Sequence, residues 1–146
     1  MKQHTLKREE RLKSRKTIAR LFANEGKSFV SFPFKVVWLA VQVDEPPVYP
    51  AQMSVSVPSR NFPKATDRNL VKRRIKEAYR LQKSILYYPL CQTSEKPDEP
   101  AFVIALMFVY LGKEILPYKL IEQKVQICLK QLIRQIKPAN SVLPDK

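Results

Sequence analysis

From Met53 to Pro58 the chain alternates. Met53, Val55 and Val57 are apolar, while Ser54, Ser56 and Pro58 interrupt them. A period of two marks a strand with one buried face. Upstream, Phe32 to Val43 (FPFKVVWLAVQV) is dense in β-branched and aromatic residues and predicts another strand region, one able to divide into two strands. Ala101 to Gly112 (AFVIALMFVYLG) is the longest apolar run. It is too short to cross a bilayer and suits a strand buried on both faces.

Three other segments repeat near 3.6. Ser14 can cap a helix running to about Glu25, with Gly26 as its C′ stop and Ile18, Leu21 and Phe22 on one face. Arg68 to Tyr88 predicts a second helix, stopped at Pro89. Pro117 opens a third, to about Ile136, with Ile121, Val125, Cys128, Leu129, Leu132 and Ile136 as its stripe. DEPPVYP breaks the first strand region from the second, and Cys91 to Pro100 reads as an acidic, proline-bearing loop. The order is αββαβα, an α+β sandwich on a small sheet. No repeat or linker divides residues 1–146, so one domain is expected, ordered over about 11–137, with a flexible basic N-terminal arm and a flexible C-terminal tail.

Charge changes this picture. The formal net charge is +14, and two segments hold nearly all of it. Residues 1–20 carry eight basic and two acidic side chains, and residues 60–83 carry nine and two. A concentrated positive field calls for a polyanion, either nucleic acid or an anionic membrane. Chemistry of the protein's own is harder to build. The only histidine is His4, the only glycines are Gly26 and Gly112, and the acids fall mostly in loops. That leaves no Ser-His-Asp triad, histidine metal cage or glycine-rich phosphate loop. Cys91 and Cys128 lie far apart with no CxxC and are expected as reduced thiols. The basic N-terminus has no apolar stretch behind it, so no secretion signal is expected and the location is read as cytoplasmic.

The second helix can be read by angle, at about 100° per residue. Val71, Ile75, Ala78, Gln82, Ile85 and Leu86 form a core stripe; Asn69, Lys72, Arg73, Lys76, Arg80 and Lys83 gather opposite it. Arg68, Lys72, Lys76 and Arg80 make a ladder of like charges at i,i+4, destabilising by about 0.2–0.5 kcal/mol per step. A merely solvated face would relieve this with glutamates, so polyanion binding is favoured over solvation. A membrane-surface helix would bury large apolar groups in the interface. This apolar stripe has core spacing instead, which favours nucleic acid. Arg60 and Lys64 extend the basic patch before the helix, and Asn69 adds a polar contact.

DRNLVKRRIKEAYR, following the strand SVSVPSR, resembles the signature of the bacterial ribonuclease P protein component: Arg68-Asn69, then Lys72-Arg73, then Ala78-Tyr79. RLKSRKTIARLFANEGKSF resembles that family's first helix and glycine stop, and the order of elements agrees from about Arg11 to Ile136. One position departs from the family's Arg-Asn-Arg core, since Leu70 stands where its second arginine would be. Leu70 falls at the border of the two helix faces, and exposure is slightly favoured over burial. The resemblance implies a left-handed βαβ crossover through the basic helix, against the general right-handed rule. It also implies a subunit that binds a catalytic RNA and the 5′ leader of precursor tRNA. Cleavage would belong to the RNA and its Mg2+, with no catalytic residue, metal or cofactor on the protein, no membrane and no obligate protein partner. RNA contacts are then expected from Arg60, Lys64, Arg68, Asn69, Lys72, Arg73, Lys76 and Arg80. A leader cleft is expected between the first helix (Ile18, Phe22) and one strand face (Phe34, Val36, Trp38), where aromatics could stack on bases. Core packing is at least as strong an alternative for any one of these apolar side chains, and is favoured over the cleft for Phe22, Phe34 and Trp38. A structural ribosomal RNA-binding protein would share the charge pattern. A DNA-binding protein is disfavoured, because no helix-turn-helix pair is visible.

Overall fold

The computed structural model describes residues 6–23, 25–45, 47–91 and 101–141. A single 3₁₀ turn (Arg8–Glu10) precedes α1 (Arg15–Phe22), β1 (Lys27–Ser31), β2 (Phe34–Val43) and β3 (Ala51–Ser56). Then come α2 (Ala65–Gln82), α3 (Ser84–Cys91), β4 (Ala101–Tyr110) and α4 (Tyr118–Ser141). The sheet runs β1-β2-β4-β3, with β3 parallel to β4 and the other pairs antiparallel. The parallel pair requires a crossover, which α2 and α3 supply. This is the α+β sandwich expected, with one strand and one helix more.

Helices cover both faces of the sheet. On one face Phe34, Val36 and Trp38 of β2 join Ile104, Leu106 and Phe108 of β4 under α2 and α4. All six residues of the anticipated α4 stripe are at most 1% exposed. On the other face Val37, Ala105 and Met107 meet Leu12 and Leu21 below α1. Burial on both faces explains why β2 and β4 read as continuous apolar runs.

Four boundaries differ from expectation. The first strand region does not divide: it holds the single strand β2, and the extra strand, β1, lies wholly upstream of Phe32. β1 buries only Phe29, so its alternation is faint, and pairing with β2 across the cis Phe32–Pro33 bond defines it. Helix α1 begins at the Ser14 cap, whose hydroxyl accepts from the Thr17 N–H at 3.3 Å, but ends at Phe22 rather than near Glu25. Gly26 adopts no left-handed conformation. It is needed because a Cβ there would stand 2.1 Å from the Leu21 carbonyl oxygen. The basic helix is two helices, broken at Lys83, and Pro89 lies within α3 instead of stopping it. With α3 starting afresh at Ser84, Pro89 removes one bond of a short helix. Finally, α4 continues to Ser141. Its anticipated apolar stripe ends at Ile136, five residues before the helix does. Apart from Cys91, the acidic loop lies outside the described residues, as do His4 and residues 142–146 of the tail.

Candidate nucleic-acid interface

Helix α2 has the two faces its sequence prescribes. Val71, Ile75, Ala78 and Tyr79 are fully buried. Asn69, Arg73 and Lys76 are exposed and Lys72 is half-buried, and none of the four has a side-chain hydrogen bond or ion pair among the described residues. Arg60 and Lys64 are exposed just ahead of the helix. The arginines at its two ends are engaged. Arg68 Nη1 donates to the Phe62 and Pro63 carbonyls at 2.8 and 2.9 Å, fastening the loop that enters α2. Arg80 grips Glu77 through two hydrogen bonds of 2.6 and 3.0 Å. That grip holds the Glu77 carboxyl below its usual range. Leu70 is half-buried at the helix edge.

Helical spacing puts Lys83 on the cationic face, but the fold turns it inward. Lys83 is buried, and its Nζ lies 2.7 Å from Oε1 of Glu10, which is 0% exposed. Tyr87 donates to the same oxygen at 2.6 Å, and the Lys7 backbone N–H donates to Oε2 at 2.7 Å. Tyr79 extends the chain to Tyr87 at 3.3 Å. Burial raises the pKa of both tyrosines, so they remain neutral donors. The pairing explains the helix break, because a lysine drawn into the interior cannot stay on a solvent ladder. It also docks residues 6–12, where a flexible arm was expected up to residue 10. Leu12 N–H donates to the Met53 carbonyl at 2.8 Å, so the segment runs beside the β3 edge. The docked arm forms the far wall of a groove of about 360 Å³. Leu6 and Arg11 line it from the arm side, and Asn69, Lys72, Arg73 and Lys76 from α2, with the Glu77–Arg80 pair at one end. Burial, and then the charges of Arg11 and Lys72, lower the Lys76 pKa. The groove therefore concentrates like charge. Nothing local in the sequence pairs Glu10 with a lysine seventy-three residues away.

The second expected grouping does not form. Phe34, Val36 and Trp38 point away from α1 into the α2–α4 core, at 0, 0 and 3% exposure. Phe34 meets Phe108 edge-on at a ring separation of 5.6 Å, and Trp38 Nε1 donates to Gln135 Oε1 at 2.8 Å. The residues facing α1 are the alternate ones: Val37, Leu39 and Val41 on β2, with Ala105, Met107 and Val109 on β4. Leu39, Val41 and Val109 are half-buried there beside Ile18, and Phe22 is 54% exposed at the end of α1. Since β2 has apolar residues on both faces, its pattern does not indicate which set faces which helix.

Among the described residues no three His, Cys, Asp or Glu side chains gather as a metal site, and no helix is long and apolar enough to cross a membrane. Cys128 is buried, and desolvation pushes its thiol up to about 12, leaving it a neutral core residue.

A fold of this shape is found in the RNase P protein from Thermotoga maritima. It has a TM-score of 0.59 and 21% identity, with 84% of this chain and 96% of that one covered. The RNase P protein from Staphylococcus aureus aligns at a TM-score of 0.52 and 20% identity, over 88% and 93% of the two chains. At those identities the likeness speaks for the fold. Sequence likeness goes further. The ribonuclease P protein from Porphyromonas gingivalis is 34% identical over 129 residues, 88% of this chain and 85% of the relative. That of Chlorobaculum tepidum is 30% identical over 110 residues, 75% and 70% of the two chains. The ribonuclease P family model matches residues 6–93, a span running from the docked arm through the whole basic helix. With its αβ sandwich, its cationic α2 and more than half its length matched, the chain belongs to the ribonuclease P protein component family.

Proposed function

We propose that this chain is the protein subunit of a bacterial ribonuclease P and assists removal of the 5′ leader from precursor tRNA. It binds the enzyme's RNA through the exposed face of α2, with Lys72, Arg73 and Lys76 as phosphate contacts and Asn69 at the helix start. The observation that carries this reading is the state of those side chains. They face a groove, they have no protein partner among the described residues, and the groove holds one acid already gripped by Arg80. Unpaired cations lining a concavity are what a phosphate backbone neutralises. The bond-breaking chemistry and its Mg2+ belong to the RNA, and the protein acts by screening phosphate repulsion and holding the substrate. The single-stranded leader takes the α1 side of the sheet. There Ile18 packs with Leu39, Val41 and Val109 in a half-buried apolar strip, and Phe22 is exposed at the end of α1, which also carries basic residues. We place this activity in the cytoplasm, with RNA and precursor tRNA as the partners.

The test mixes the protein with its organism's ribonuclease P RNA and a precursor tRNA at low magnesium. Leader removal accelerates with protein present, and rigorously RNA-free protein cleaves nothing. Cleavage by the RNA-free protein, or a failure to bind the RNA at all, would overturn the proposal.

A further inference from the structure

We infer that the N-terminal arm is the second wall of the RNA-binding groove, with Arg11 a phosphate contact and Glu10 the residue that positions it. This rests on the proposed role of α2 and adds to it a strand-clasping geometry. The arm is built to hold Arg11 still. On one side of it Glu10 is buried and bonded to Lys83, Tyr87 and the Lys7 backbone. On the other side Leu12 is 4% exposed, and its N–H is bonded to Met53 of β3. Gln52 also reaches the Glu9 carbonyl at 3.3 Å. The Arg11 backbone N–H donates to the Arg8 carbonyl at 3.1 Å, while its side chain is exposed between these two anchors, has no hydrogen bond or ion pair among the described residues, and lines the groove with Lys76.

A buried ion pair adds little net stability compared with well-packed apolar residues, because desolvation offsets the attraction. It does fix registry. Here it sets a cation across from the Lys72–Lys76 ladder, so like charges face one another across the groove, and burial, then the Arg11 and Lys72 charges, lower the Lys76 pKa. A strand of RNA phosphates lying between the walls relieves that repulsion from both sides at once. Arg8 serves as an internal control: it is on the same arm and exposed, but outside the groove.

The experiment titrates ribonuclease P RNA with wild-type protein and with Arg11→Ala, Arg8→Ala, Arg73→Ala, Glu10→Ala and Glu10→Ala/Arg11→Ala, each at several salt concentrations. Arg11→Ala is expected to lose affinity several-fold and to lower the log–log salt slope by about 1. Arg8→Ala is expected to do neither. Glu10→Ala is expected to reproduce the Arg11→Ala loss although it removes a negative charge, and the double variant to lose no more than either single one. Equal small losses for Arg11→Ala and Arg8→Ala would refute the second wall. Full additivity of the Glu10 and Arg11 changes would refute the positioning. If Glu10→Ala does not fold, the Arg11 and Arg8 contrast decides alone. Arg73→Ala separates this inference from the reading it rests on, since an Arg73→Ala protein that binds like wild type refutes α2 as the RNA face whatever Arg11 does.

Discussion

Arg68 and Arg73 carry the same guanidinium five positions apart on α2 and use it differently. Arg68 ties two loop carbonyls, whereas Arg73 meets solvent. Lys72→Ala and Arg73→Ala are therefore expected to weaken RNA binding with unchanged thermal stability, each lowering the salt slope by about 1. Arg68→Ala is expected to cost stability as well as affinity, because two carbonyls lose a charged donor. Thermal melts beside RNA titrations check this. Ile75→Ala, from the opposite face, should destabilise by about 2–5 kcal/mol. Trp38→Ala should cost about 3–5 kcal/mol. Its effect on affinity should be the same for precursor and mature tRNA, since Trp38 lies in the core on the face away from α1. Loss at precursor tRNA alone would reject that placement. Leu70→Arg should leave the fold intact, with the long stem lying along the helix edge and its head in water beside Arg73 and Arg74. RNA affinity should then rise.

At the scale of elements, the breaks matter as much as the helices. α2 ends where Lys83 turns inward, and the chain passes from α1 into β1 through Gly26, against the Leu21 carbonyl. Gly26→Ala must displace backbone, and about 1–3 kcal/mol is expected, read by denaturant unfolding. Lys83→Ala strands the Glu10 carboxylate in the interior and should cost about 3–5 kcal/mol, or displace the arm to bring Glu10 back to water. Faster proteolysis within residues 6–12 would identify the second outcome. The helix stripes were legible without coordinates: every residue anticipated on the α4 stripe is buried, as are Val71, Ile75 and Ala78. β1 was not legible, because an edge strand with one inward residue has almost no pattern to read. Nor was the break in the basic helix, because Lys83 has the spacing of a surface cation and only a distant acid draws it in.

For the molecule as a whole, Arg11, Lys72, Arg73, Lys76 and Arg80 set positive charge around one groove between the arm and α2. RNA affinity should fall steeply and linearly in log–log form with salt, with a slope set by several phosphate contacts. A nearly flat salt dependence would mean that the cationic groove is not the RNA site. The α+β class, the core stripes, the cationic face of α2 and the family signature at Arg68-Asn69 follow from the sequence by itself. Each is written in local spacing, and spacing records which side of an element is buried. Tertiary structure alone decided three things. It turned Phe34, Val36 and Trp38 toward α2 and α4 instead of α1. It docked the arm on α2 through Glu10 and Lys83. It made two facing walls from segments that are both simply basic in the sequence. The reason is common to all three. A strand apolar on both faces carries no mark of which neighbour each face will meet. A buried ion pair between residues seventy-three apart is specified only when the fold brings its two halves together.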